Sequence, residues 1–364
     1  MRILVVSGIW PPDVGGPASH APEAAEWLHD AGHDVRVVVT ADNEPAREPY
    51  RVDWVPRSPF RHPHAVAAIA RAAREGDVVY TTGMLTRSAA GSRLARRPFV
   101  AKLTADPAFE RARRLGLFAG SLAEFQRDRS ARTLPLRKTR DAVVRAAAHI
   151  VTPSAYLREL AVGWGVAPDH VTVLPNPAPR VDGLAPREEL RARWELDGPT
   201  LVFAGRLTAQ KSLDVAIDAA RRAGAALVIA GDGPDRAALE RLGWARFVGP
   251  QPRRAVLELF RAADAAVLSS SWENFPHGVV EALAAGTPVI ATAAGGVAEV
   301  VRDGENGLLV AVGDADALAG AIERAFGDAA LLERLRARAA PSVAEYAPGR
   351  VYGRLAEILE RAAR

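Results

Sequence analysis

Two carboxylates, Glu273 and Glu281, stand eight residues apart in the stretch 271–296, which reads SWENFPHGVVEALAAGTPVIATAAGG. Pro276 and Gly278 suit the start of a helix, Val279, Val280 and residues 282–285 supply its apolar body, and Gly286 suits its C-terminal cap. Such a helix leaves Glu273 on the preceding loop and Glu281 about one turn inside. Both can then line a pocket floored by the positive end of a helix, where free amides and the macrodipole favour phosphate. Taken alone the pair has an ordinary alternative, a capping acid followed by an exposed helical Glu, because charged residues make up 25% of the chain. The buried-looking strand at 288–291 and the Gly-Gly turn after it give the stretch its specificity.

The run ENFPHGVVEALAAGTPVIATAAGGVAEVV, followed by DGENGLLV, resembles the donor-site signature of the retaining, nucleotide-sugar-dependent glycosyltransferases of family 4. Glu273 and Glu281 match that family's E-x7-E motif. The resemblance implies an α/β chain of the GT-B class, two Rossmann-like domains facing across a donor/acceptor cleft. It also implies that Glu273 contacts the transferred sugar and Glu281 the ribose of the nucleotide, with Asn274, Phe275, Pro276, His277 and Gly278 lining the donor site between them. His277 is equally placed to cap the helix.

Residues 205–212, GRLTAQKS, match the same family's G-R-x4-K-G pattern, except that Ser212 stands where Gly is usual. Gly205 then belongs to the donor site, and Arg206 and Lys211 become the grip on a diphosphate, Arg as a planar fork and Lys as a compact charge. Metal-free transfer needs such cations because the leaving diphosphate gains negative charge as the glycosidic bond breaks. The turn at 231–234, Gly-Asp-Gly-Pro, also resembles the family and reads equally well as a plain strand-to-helix turn.

In the first half, Gly15 and Gly16 follow the first strand; Gly allows close backbone approach, and the helix expected from about Ser19 can face an anion. The resemblance takes this loop to the donor phosphate and sugar. The spacing is not that of the dinucleotide fingerprint. Many relatives carry a His after a late strand of the first domain. Here residues 102–107 read KLTADP, so Asp106 is expected to serve the reacting centre, with Thr104 as a weaker acceptor contact. His20 is a second acceptor candidate, and an exposed or cap-proximal His is its ordinary alternative.

The elements that must position these groups alternate. Strand-like runs at 2–7, 34–40, 51–55, 78–81, 99–103, 149–152 and 171–174 are separated by amphipathic helices, and a second series runs through 200–204, 226–230, 246–248, 265–269, 288–291 and 307–310. That alternation is the pattern of parallel α/β sheets. Proline-rich residues 175–179 stiffen the connector. The expected division is 1–178 for an acceptor domain, 179–347 for a nucleotide-sugar domain, and 348–364 for a terminal helix that the GT-B arrangement returns to the first domain.

A chain of 364 residues holds two cores. Mean hydropathy of −0.02 describes a globular protein, and no apolar run reaches membrane-spanning length. The first residues read as a strand and loop, unlike a signal peptide. With no cysteine there is neither disulfide nor thiolate metal site, so the cytoplasm is the default location. Asp314 and Asp316 resemble a metal-binding D-x-D but read as a helix start, and the eight histidines show no ligand spacing; no metal and no cofactor beyond the sugar nucleotide are expected.

Net charge is +4, yet bases crowd residues 87–145, where only Asp106, Glu110, Glu124, Asp128 and Asp141 oppose them. That surplus suits a phosphate-bearing acceptor or the anionic face of the inner membrane, or is simply a solvated helix face. No nucleic-acid motif accompanies it, so no nucleic-acid partner is expected.

The sequence thus points to a metal-independent retaining transferase that moves a hexose-type sugar from UDP- or GDP-sugar to an acceptor hydroxyl. A nucleotide-sugar epimerase of the same fold and a donor-binding, non-catalytic subunit are the alternatives.

Overall fold

The computed structural model describes residues 1–11, 16–58 and 60–364. Its contacts divide the chain into two units, Met1–Pro175 with Gly349–Arg364, and Asn176–Pro348. The connector after Pro175 belongs to the second unit, tied there by Ala178 N to Tyr346 O at 2.8 Å and by Asn176 to His277.

The first unit runs β1 (Arg2–Ser7), α1 (Gly16–Asp30), β2 (Asp34–Val39), β3 (Arg51–Trp54), α2 (Arg61–Glu75), β4 (Val78–Thr81), α3 (Leu85–Ala95), β5 (Phe99–Lys102), α4 (Pro107–Arg114), α5 (Leu122–Arg127), α6 (Leu134–Arg145), β6 (His149–Thr152), α7 (Ala155–Gly163) and β7 (Val171–Val173). Its strands pair in parallel in the order β3-β2-β1-β4-β5-β6-β7. A parallel sheet is covered on both faces, which is why its strands read as near-continuous apolar runs. One face packs Ile3, Val5, Val37, Tyr80, Val100 and Val151 against α1; the other packs Leu4, Val6, Val79, Ala101 and Ile150 against α2 and α7.

The second unit contains α8 (Arg187–Arg193), β8 (Thr200–Ala204), α9 (Leu213–Arg222), β9 (Ala226–Ala230), α10 (Arg236–Glu240), β10 (Ala245–Gly249), α11 (Arg253–Ala262), β11 (Ala265–Leu268), α12 (His277–Ala284), β12 (Val289–Thr292), α13 (Val297–Val300), β13 (Gly307–Val310), α14 (Ala315–Gly327) and α15 (Ala329–Ser342). The sheet order is β10-β9-β8-β11-β12-β13, again parallel. Chain order reverses between β8 and β11, so the loops leaving those two strands open side by side. In doubly wound sheets that reversal, at the carboxyl ends of the strands, is where ligands bind.

The last helix, α16 (Pro348–Ala363), buries Val351, Tyr352, Leu355, Ile358 and Leu359 in the α1 face of the first unit, and Tyr352 Oη donates to Glu23 at 3.2 Å. Among the described residues no helix is long and apolar enough to cross a membrane.

Candidate functional site

Glu273 lies on the loop between β11 and α12, 5% exposed. The Lys211 ammonium reaches across from the turn after β8 to its Oε1, and the Ser270 hydroxyl donates to the same oxygen at 2.8 Å. Among the described residues no hydrogen bond uses Oε2, so one carboxylate oxygen is left for a ligand. The two loops are stitched together around this pair. Gln210 Nε2 donates to Trp272 O at 2.8 Å, Ser271 N to Gln210 O at 2.9 Å, and the Ser269 hydroxyl lies 2.8 Å from Lys211 O.

Glycine sets the backbone of Glu273. A Cβ at Gly295 would fall 2.0 Å from Glu273 O, and Gly295 has φ +53°, so the Gly-Gly turn after β12 can close on the loop only without a side chain. Gly296 N then donates to that carbonyl at 3.1 Å. The Gly231–Gly233 turn works the same way: Cβ atoms there would lie 1.9 Å from Gly205 O and 2.2 Å from Leu207 O. Its glycines therefore seat the loop that carries Arg206.

Arg206 is exposed at the mouth of that loop and, among the described residues, makes no hydrogen bond or ion pair. Gly278, in the first turn of α12, abuts the end of β8; a Cβ there would meet Ala204 O at 3.2 Å. The amino end of α12 thus sits beside the Gly205–Arg206 turn. Glu281 lies one turn into α12, half-buried, with its carboxylate 3.6 Å from Arg253 Nε. His277 is the first residue of α12 and exposed, its Nε2 3.0 Å from Asn176 Nδ2 and its ring edge-on to Phe275 at 5.5 Å. Phe275 itself is buried and packs on Tyr346, so its side chain anchors the loop rather than facing out; Pro276 is the N-cap of α12 and Asn274 is half-buried.

Ser212, in the position where Gly was expected, has φ +45°. The left-handed turn that the pattern calls for is kept here by a residue with a side chain, while Ser269 Oγ lies 2.9 Å from its carbonyl.

The first unit corrects two expectations. Asp106 is not available to a reacting centre: its side chain is 0% exposed and both oxygens are committed. Oδ1 caps α4 by accepting from Ala108 N (2.9 Å) and Phe109 N (3.2 Å), and Oδ2 accepts from Arg140 Nη1 (2.6 Å) and Gln126 Nε2 (2.9 Å). Arg140 in turn stacks on Trp164 at 4.2 Å, whose Nε1 donates to Gln126 Oε1. Asp106 therefore locks α4, α5, α6 and α7 together. His20 is buried rather than exposed, with Nε2 3.0 Å from Tyr80 Oη and its ring 5.8 Å from that of Tyr352. Thr104 is exposed on the loop after β5. Gly15 lies outside the described residues, and Gly16 opens α1.

Asp314 caps α14, accepting from Ala317 N at 2.8 Å, while Asp316 pairs with Arg222. A cavity of about 390 Å³ opens at the amino ends of β1 and β2, lined by Arg2, His29, His33 and Arg36 among others. It lies at the opposite end of the first unit's sheet from the carboxyl ends of its strands, and holds none of the residues singled out from the sequence. Sequence reasoning missed Ser270, which donates to Glu273 within one loop, and Gln210 and Asn176, whose roles arise from contacts between loops; the Ser-Ser-Ser run before Trp272 is the one local signal for Ser270.

Comparison with known proteins identifies the family and the fold. Residues 186–341 match the family model "Glycosyl transferases group 1" and residues 15–177 match "Glycosyl transferase 4-like domain". A glycogen synthase of Mycobacterium tuberculosis is 30% identical across 93% of this chain and 89% of its own length. A GDP-mannose-dependent alpha-mannosyltransferase of the same organism is 29% identical across 86% of this chain and 85% of its own. Among solved structures, Anabaena HepE in complex with UDP and glucose superposes with a TM-score of 0.80 over 99% of this chain and 100% of its own at 20% identity, a likeness of fold, the α/β GT-B class.

Proposed function

Since the chain belongs to the glycosyl transferases, with a 4-like domain followed by a group 1 domain, we propose that it is a retaining hexosyltransferase of family 4 that moves a sugar from UDP- or GDP-sugar to an acceptor hydroxyl without a metal. The observation that carries this reading is the convergence of Arg206, Lys211, Glu273 and the amino end of α12 at the switch point of the second unit. A ligand with both a phosphate and hydroxyls would use all four. The UDP and glucose bound by HepE and the GDP-mannose of the mannosyltransferase's name support the donor class and leave both bases open.

In this mechanism the diphosphate leaves from the face on which the acceptor hydroxyl attacks. Arg206, Lys211 and the α12 amides take up its developing charge. The free Oε2 of Glu273 accepts from a hydroxyl of the transferred sugar, Glu281 from the ribose. The departing phosphate oxygen takes the acceptor's proton, so no strong protein base is required. Neither a metal nor a further cofactor has a part in these steps.

The reaction takes place in the cytoplasm, with the protein peripheral to the inner membrane face. Arg111, Arg113 and Arg114 are exposed on α4 beside Leu115, 55% exposed, and Leu134, 41% exposed, opens α6 near Lys138. Basic side chains around bare leucines complement an anionic bilayer surface.

A panel of nucleotide sugars tests the reading. Slow release of nucleoside diphosphate, unaffected by excess EDTA, is the expected result. Isomerised sugar would mean an epimerase, binding without turnover a donor-binding subunit, and activity lost to chelation and restored by manganese or magnesium would return the charge to a metal.

A further inference from the structure

Lys102 Nζ and Thr82 Oγ1 are among the buried polar atoms of the first unit that have no hydrogen-bond partner among the described residues. They stand at the carboxyl ends of neighbouring strands. β4 and β5 are in register with Thr81 opposite Ala101, so Thr82 and Lys102 are the next pair along. Val78, Tyr80 and Val100 face α1 and α16, whereas Val79, Phe99 and Ala101 face the opposite layer. Alternation puts Thr82 and Lys102 on the α1 face. Thr82 directly follows β4, which borders this unit's own switch point between β1 and β4, and Lys102 ends β5, the next strand along.

Lys102 is 5% exposed and Thr82 6%. An amine sealed in an apolar layer without a counter-charge is costly, and a Met or Leu would fill the same space without that penalty. Burial alone lowers the amine to about 7. Of the described titratable groups on the same face, His20 of α1 pairs through Nε2 with Tyr80 of β4, and Tyr352 of α16 with Glu23 of α1. Among the described residues nothing pairs with the Lys102 amine, and a buried polar group left unsatisfied in this way calls for a further partner.

We propose that Lys102 and Thr82 form a subsite for an anionic group, a phosphate or a carboxylate, carried by the acceptor. The assignment to the acceptor rests on the glycosyltransferase reading above. The anion supplies the missing counter-charge, the amine takes up a proton as it binds, and the Thr82 hydroxyl donates to a second oxygen of the same group. Exposed Thr104, two residues beyond Lys102, borders the approach.

The test is calorimetric titration of the full chain at pH 8 with glucose 6-phosphate, glucuronate and uncharged glucose, in two buffers of different ionisation enthalpy. At least one charged sugar should bind tenfold or more tighter than glucose, with proton uptake, and whether it is the phosphate or the carboxylate identifies the group. Lys102→Met should abolish both the preference and the proton uptake, and Thr82→Val should weaken the same binding several-fold. Equal or absent binding of charged and uncharged sugars by the wild type, or a full preference kept by Lys102→Met, overturns the proposal. Donor hydrolysis by the wild type, measured without acceptor, judges the transferase reading separately, so failure of either is seen without the other.

Discussion

The Lys211 ammonium is paired with the Glu273 carboxylate across 62 residues of sequence, although the two groups are assigned to different parts of the donor. The pair is lopsided. Glu273 keeps 7% of its side-chain surface and Lys211 keeps 20%, so the cation faces outward while the carboxylate is held beneath it. Glu273 thus fixes the position of Lys211 and largely neutralises it, whereas Arg206 has no ion-pair partner among the described residues. In the proposed mechanism an arriving diphosphate would meet Arg206 first and share Lys211 with Glu273.

Replacing either cation by Ala should lower turnover by roughly 10², the scale for losing one group that stabilises developing charge. Stability should separate the two variants. Arg206 is exposed and unbonded, so Arg206→Ala should lie within about 0.5 kcal/mol of wild type. Lys211→Ala strands a buried carboxylate and should destabilise by about 2 to 3 kcal/mol, less than for a fully buried pair because water reaches Lys211. Urea unfolding beside donor kinetics provides both numbers. Activity within threefold of wild type in both variants would remove the cations from the mechanism.

The two glutamates should divide along the donor. Glu273→Gln should cripple transfer while leaving the free nucleoside diphosphate bound nearly normally. Glu281→Ala should weaken that diphosphate by about 1.5 to 3 kcal/mol, the range for a hydrogen bond to a charged group. Titration of both variants with the diphosphate makes the comparison, and equal losses would refute the division.

Asp106 should behave as a structural residue. Asp106→Ala leaves Arg140 buried without its partner and uncaps α4, so a loss of about 3 to 5 kcal/mol is expected. The turnover of the protein that remains folded should be unchanged. A variant of normal stability that lost turnover 10²-fold would return Asp106 to the reacting centre.

The strands were legible because parallel strands covered on both faces announce themselves as apolar runs: the expected 2–7, 78–81, 149–152, 226–230 and 307–310 coincide with β1, β4, β6, β9 and β13. The helix carrying Glu281 was legible from Pro276 and Gly286, the latter at φ +84° just past α12. The burial of His20 was not, because an imidazole on an amphipathic helix reads as exposed until its hydroxyl partner, Tyr80, is found 60 residues away. Asp106 misled for a related reason. A motif position shows where a side chain starts, and only the packing of α4 to α7 shows that Arg140 and Gln126 claim its oxygens. The Lys211–Glu273 pair joins two motifs that the sequence could place only separately.

Lys102 gives the fold a pH dependence of defined sign. Burial lowers its amine from 10.5 to about 7. Below about pH 7 the folded and unfolded chains both carry the proton, and the full penalty of the buried charge is present. As pH rises from 7 toward 10.5 the folded chain sheds the proton while the unfolded chain keeps it, so the penalty is relieved and stability increases. His33, His62 and His149 are also lowered, chiefly by burial, and their contributions end near pH 6.5. Unfolding free energies measured between pH 7.5 and 9.5 therefore isolate Lys102. The wild type should gain stability across this window relative to Lys102→Met by on the order of 2 kcal/mol, from about 1.4 kcal/mol per pH unit for one proton. The Met variant should be the more stable of the two at pH 7. Parallel pH profiles for the two proteins would show that Lys102 is charged and solvated in the folded chain.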